Sequence, residues 1–181
     1  MRRLSALAAA AALAFGLVGA AAANGDSNRN SFRTQFSGYQ EVPAISSTAT
    51  GKLTLSVNDA GTQISYTLTY TALQGGSAVG AHIHLGQSGV SGAVVAFLCG
   101  GGSKGACPAG GGTVTGTITA ADIFAVPSQG IAAGDLGALL RAMRHGVTYA
   151  NVHSVTFPAG EIRGQIPGHG NNGGQDGDND H

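Results

Sequence analysis

Hydrophobic side chains recur in this chain with a period of two, and that spacing restricts most of it to β structure. In Lys52–Val57, Leu53, Leu55 and Val57 alternate with Lys52, Thr54 and Ser56. In the run from Ile64 to Tyr70, Ile64, Tyr66, Leu68 and Tyr70 alternate with Ser65, Thr67 and Thr69. Successive side chains of a strand point to opposite faces, so each run offers one apolar face to a core and one hydroxyl face to water. Asn58-Asp59-Ala60-Gly61 between them is a turn signal, and the two runs are predicted to pair as a β-hairpin.

The same pattern predicts strands over Phe32–Phe36, Val79–His84, Ala93–Leu98, Val114–Ile118, Val147–His153 and Glu161–Ile166. Ala93–Leu98 is continuously apolar, as expected of a strand covered on both faces. One region departs from the period of two. Between Asp135 and Gly146, Leu136, Leu139, Leu140 and Met143 fall at helical spacing, with Asp135 placed to cap the start and Gly146 to end it. Thr119-Ala120-Ala121-Asp122 reads as a capping box opening a single turn. The 31 glycines suit a loop-rich β protein. Eight short strands and one short helical insert predict an all-β fold, an antiparallel β-sandwich of immunoglobulin-like or superoxide-dismutase-like type.

The ends read differently. Residues 1–23 have the form of a signal peptide: Arg2 and Arg3, an uncharged stretch from Leu4 to Val18, then Ala21-Ala22-Ala23 as a cleavage site. The competing reading is an uncleaved anchor, but the alanine-rich run and its small-residue end favour a signal. A polar leader (24–31) precedes the β domain (32–166), and a Gly/Asn/Asp tail (167–181) with almost nothing to bury is expected to be disordered. Removing residues 1–23 leaves seven basic against nine acidic residues, no electrostatic footprint for nucleic acid. No second hydrophobic span follows, so no membrane span is expected once the signal is removed. The predicted location is secreted or periplasmic, with an extracytoplasmic ligand or protein as partner.

Among six histidines, three carry the most informative chemistry. Ala81-His82-Ile83-His84 lies on a predicted strand, which puts His82 and His84 on one face; Asn151-Val152-His153 ends another. Two imidazoles from one strand and a third from a distant strand can form a three-nitrogen site for copper or zinc. The arrangement is similar to that of copper-binding sandwiches such as the copper–zinc superoxide dismutases, though that enzyme's zinc loop and a clear fourth ligand are missing. The bland alternative is a polar seam in which the histidines bond neighbouring carbonyls or carboxylates. Glu161 and Arg163 read as an ion pair or surface ladder, or, with Asn151, as groups that orient the histidines. Cys99 and Cys107 are best read as a disulfide stapling a glycine-rich loop, the alternative being two thiolate ligands for a metal. No G-x-S-x-G elbow, P-loop or dinucleotide fingerprint is present, so catalytic residues are not assigned.

Four segments in order resemble the chordin-type CHRD domain family. They are Phe36-Ser37-Gly38-Tyr39-Gln40-Glu41-Val42-Pro43, Ala81–His84, Tyr149-Ala150-Asn151-Val152-His153, and Pro158-Ala159-Gly160-Glu161-Ile162-Arg163-Gly164-Gln165. The resemblance spans about Phe32 to Ile166. It departs at Ala44, where a second proline is common, at Ala150, where valine is usual, and at Leu85, which separates His84 from a glycine. It implies an exported β-sheet module. It implies little about activity, because bacterial members are largely without assigned function, and the growth-factor antagonism of chordin is not transferred. The expected function is therefore a binding or structural module that takes copper or zinc through His82, His84 and His153. The alternatives are a superoxide-dismutase-like metalloenzyme and a purely structural extracellular domain.

Overall fold

A computed structural model describes residues 29–169. Each run expected to be a strand becomes one: β1 (Ser31–Ser37), β2 (Thr50–Val57), β3 (Gln63–Thr71), β4 (Ala78–Leu85), β5 (Ala93–Cys99), β6 (Gly112–Thr119), β7 (Thr148–Ser154) and β8 (Ile162–Ile166). The helical run becomes α1 (Leu136–Arg144). The hairpin between β2 and β3 pairs Leu53 with Leu68 and Leu55 with Tyr66, as alternation on a shared inward face requires.

The strands form one sheet in the order β5-β4-β7-β8-β1-β2-β3-β6, antiparallel throughout. Its two halves, β5-β4-β7-β8 and β1-β2-β3-β6, are joined by the single registered pair Ser37–Arg163 between β1 and β8. The terminal strands β5 and β6 approach each other, so the sheet is nearly closed like a barrel. The expectation of an antiparallel all-β fold with one short helix holds. A sandwich of two separately paired sheets is not what the hydrogen bonding gives, because the β1–β8 seam makes both halves one sheet.

The apolar faces meet inside. Leu53, Leu55, Ile64, Leu68, Ile83 and Ile162 are almost fully buried, and each such side chain contributes roughly 1.5–3 kcal/mol of transfer free energy. Helix α1 adds Leu136, Leu139, Leu140 and Met143 to this core. It starts where Asp135 Oδ1 accepts from the Ala138 amide at 2.8 Å, and it ends before Gly146, whose φ of 69° lies in the left-handed region. The Thr119–Asp122 capping box opens a single 3-10 turn, Asp122 accepting from the Thr119 amide at 2.9 Å.

The continuous apolar run of β5 has a specific cause. Its register against β4 shifts twice, between the pairs Ala81–Cys99 and His82–Phe97 and between Ile83–Ala96 and His84–Val94. Each bulge sets two β5 residues against one of β4, which breaks the alternation that one-to-one pairing would impose. Cys99 at the end of β5 is bonded to Cys107, so the staple reading holds and the two-thiolate ligand reading is removed.

The signal-peptide reading of residues 1–23 and most of the leader lie outside the described residues, as does the tail from residue 170. Pro167–His169 follow β8 back onto the domain, where the His169 ring lies 4.3 Å from that of Phe32. No helix among the described residues is long and apolar enough to cross a membrane.

Candidate metal centre

Strand β7 buries both of its faces, and β4 and β8 beside it bury most of theirs, with Val79 near the start of β4 left exposed. The inner face carries Ala81, Ile83, Ala150, Val152 and Ile162 into the apolar core. The other face carries His82 and His84 from β4, Tyr149, Asn151 and His153 from β7, and Arg163 from β8. Register fixes the layout: His82 is opposite Asn151, His84 opposite Tyr149, and Asn151 opposite Arg163. All seven residues of β7 are buried. The loops after β4 and β7 lie over this second face, because their groups bond to it: Gly92 to His84, Gln87 and Val90 to Arg163, and Pro158 to His153. The loop after β1 brings Glu41 beside Asn151.

The structure brings the three predicted histidines together. Their ligand nitrogens all lie within 4.8 Å of one another. His82 Nδ1 is 3.0 Å from His153 Nε2. His153 Nδ1 lies 3.0 Å from the Pro158 carbonyl oxygen, and His84 Nδ1 lies 3.0 Å from that of Gly92. A carbonyl oxygen only accepts, so both Nδ1 atoms carry the proton and both Nε2 atoms present a lone pair. His82 Nδ1–H then donates to His153 Nε2. Two nitrogens bound at about 2.0–2.1 Å to one tetrahedral ion lie about 3.3 Å apart, close to the separation already present. His82 Nδ1, His84 Nε2 and His153 Nε2 are thus a fitting donor set.

Electrostatics agree with that fit. Burial, then the neighbouring His153 and His84, pushes His82 down to about 3. Burial also lowers His84 and His153, against the carbonyl bonds that would raise them. All three rings are neutral at pH 7, the form a metal requires. The rings stand in an aromatic frame: His82 meets Phe97 edge-on at 4.4 Å, and His84 stacks on Tyr149 at 4.6 Å.

A family model for the CHRD domain matches residues 32–166. The chain belongs to the CHRD domain family. No curated protein and no solved structure matches it. The CHRD match covers all three histidines, the disulfide and every strand of the sheet except Ser31, the first residue of β1.

The other residues singled out in the CHRD sequence take distinct places. Arg163 is buried, its guanidinium 3.3 Å from the Tyr149 ring centre and its Nη2 donating to the Gln87 and Val90 carbonyls. Glu161 is fully buried just ahead of β8 and bonds neither Arg163 nor a histidine. Its carboxylate accepts from Ser47 Oγ at 2.8 Å, Ser154 Oγ at 2.6 Å, and the Gln74 and Gly75 amides at 2.6 and 3.0 Å. Burial pushes this carboxyl up, but the four donors outweigh it and hold it below the usual range. Gly75 is required here, since a Cβ would strike the Ser154 hydroxyl and the carboxylate itself. Asn151 sits at the centre of the polar face, beside the histidines.

Sequence reasoning missed two contributors. Tyr149 joins His84 to Arg163 in one stack. Glu41, just beyond the 3-10 turn at Gly38–Gln40, is 7% exposed and packs with Asn151 against Gly160. At Gly160, φ is 130° and a Cβ would run into the Glu41 carboxylate and the Asn151 amide, so glycine lets these two groups meet. Burial, partly offset by Arg163 and Asn151, pushes Glu41 up to about 7. Its place in the CHRD opening motif was the available signal, but nothing local in that motif points to the histidines.

Proposed function

We propose that this CHRD domain is an exported binding or structural module that holds one copper or zinc ion through His82 Nδ1, His84 Nε2 and His153 Nε2. The observation that carries the reading is the orientation of the rings: two carbonyl oxygens fix the tautomers of His84 and His153 so that their Nε2 lone pairs are left for His82 and an ion, that of His153 accepting from His82 Nδ1–H and that of His84 unpartnered. The bound ion would join β4 to β7, and copper would add a one-electron redox centre where zinc adds only a Lewis acid. The chain's own residues do the rest. They hold three imidazoles neutral, wall them with Phe97 and Tyr149, and keep Arg163 engaged with carbonyls.

The signal-like segment at residues 1–23 and the Cys99–Cys107 bridge support export to an oxidising compartment, secreted or periplasmic. The partner would then be an extracytoplasmic ligand or protein. Metal analysis of the purified protein tests the proposal. Wild type is expected to retain about one copper or zinc per chain, and the His82→Ala/His84→Ala variant none. No uptake by wild type at neutral pH would leave a polar seam of structural purpose. Superoxide turnover by the copper-loaded protein would make the site an enzyme's rather than a binder's.

A further inference from the structure

Three buried acceptor atoms without a hydrogen-bond partner lie on the same polar face: His84 Nε2, Asn151 Oδ1 and Glu41 Oε1. His84 Nε2 is an acceptor because Nδ1 holds the proton for Gly92. Asn151 is the next outward residue before His153 on β7 and is paired with His82 across the strands. Glu41 reaches the same spot from the loop after β1, meeting Asn151 over Gly160. A buried acceptor without a donor costs roughly 1–3 kcal/mol, so three in one neighbourhood call for a positive charge to face them.

Charge counting gives the same answer. Three neutral imidazoles bring no negative charge to a divalent ion, and Arg163 already acts as a positive charge on both His84 and Glu41. Of the two buried carboxylates, Glu161 is saturated by four donors, none of them a histidine. Glu41 has an oxygen free.

We propose that Glu41 is a positioning residue of the metal centre, supplying through Asn151 the counter-charge for an ion held by His82, His84 and His153. The opening motif of the domain thereby belongs to the same site as the two histidine motifs. This inference rests on the metal reading above. It adds that the ion's affinity is set in part by a carboxylate that does not bind it, an effect usually of about 10–100-fold.

The test is a competition titration with zinc at pH 7.5 on wild type, Glu41→Gln, Glu41→Asp and Asn151→Asp, beside thermal melts of each metal-free protein. Glu41→Gln is expected to weaken zinc binding about 10–100-fold while its metal-free melt is unchanged or higher, a split that a merely structural role would not give. Glu41→Asp should recover part of the loss, and Asn151→Asp, with a charge placed beside the ligands, should tighten binding. Wild type that binds zinc while Glu41→Gln binds equally well, or while Asn151→Asp fails to tighten, overturns the role of Glu41 alone. Wild type that takes up no zinc overturns the metal reading, and this inference with it.

Discussion

The two halves of the sheet obey different rules. In β1-β2-β3-β6, inward Phe32, Leu53, Leu55, Ile64 and Leu68 are buried while outward Arg33, Lys52, Thr67 and Thr115 meet solvent. Its hydroxyls bond one another across strands, as Thr69 and Thr113 do at 3.1 Å. In β5-β4-β7-β8 the second face is covered as well, and what it covers is polar: three histidines, an asparagine, an arginine and the Glu41 carboxyl. Burying polar groups costs free energy unless each is paired, and several of these are not. One half is what a stable sheet looks like. The other buries polar groups that lack partners, at a cost in stability, the pattern expected of a functional site.

Glu161→Ala is the strongest challenge to that division, because Glu161 lies in the polar half yet is fully satisfied. Removing its carboxylate leaves four donors without this partner, three of them buried, and a loss of about 3 kcal/mol is expected in chemical denaturation. A loss under 1 kcal/mol would show that the clip is dispensable. In the other half, Leu68→Ala should cost about 2–5 kcal/mol through lost burial and the cavity left behind, with metal uptake unchanged. Loss of metal in that variant would mean that the halves are not separable.

Glu41 sharpens the contrast through pH. Its folded value of about 7 lies above the ordinary 4.5, so folding favours the protonated form. Its contribution is fully present below pH 4.5 and is lost as pH rises through 7. Glu41→Gln mimics the protonated form. It should match wild type near pH 4.5 and exceed it at pH 8 by on the order of 2–3 kcal/mol without metal, read from denaturation curves at both pH values. The histidines run the other way. Their folded values are lowered, so their contribution is present above pH 6.5 and lost as pH falls below it. The smallest effect is expected of His82→Ala, the least buried of the three histidines: under about 1 kcal/mol in the metal-free protein, with metal retention abolished. A large loss of metal-free stability would make His82 a structural residue.

The legible parts of this molecule are those whose signal is local. Alternation marks most of the strands and a continuous apolar run marks β5, helical spacing marks α1, and Thr119 and Asp122 lie close enough to be read as a capping box. His82 and His84 share a face by strand geometry alone. The rest depends on pairing at long range. Glu161 finds Ser47 and Gln74 through loops with no periodicity, and so it reads as a surface charge when it is a buried clip. Arg163 reads as outward, which it is, but the loop of Gln87 and Val90 closes over it. Glu41 lies more than a hundred residues from Asn151 in sequence, and only the closure of its loop over Gly160 brings them together. Closure into one sheet is hidden for the same reason, since it rests on the single pair Ser37–Arg163.

Nitrogen-detected NMR of the imidazoles during zinc titration tests the central claim most directly. Before zinc, His82, His84 and His153 are expected as neutral rings protonated at Nδ1. At one equivalent, His84 and His153 should keep that tautomer while their Nε2 resonances move, and His82 alone should transfer its proton to Nε2 as Nδ1 becomes a ligand. Zinc-dependent shifts confined to His145 and His169, or no change in these three rings, would contradict the account.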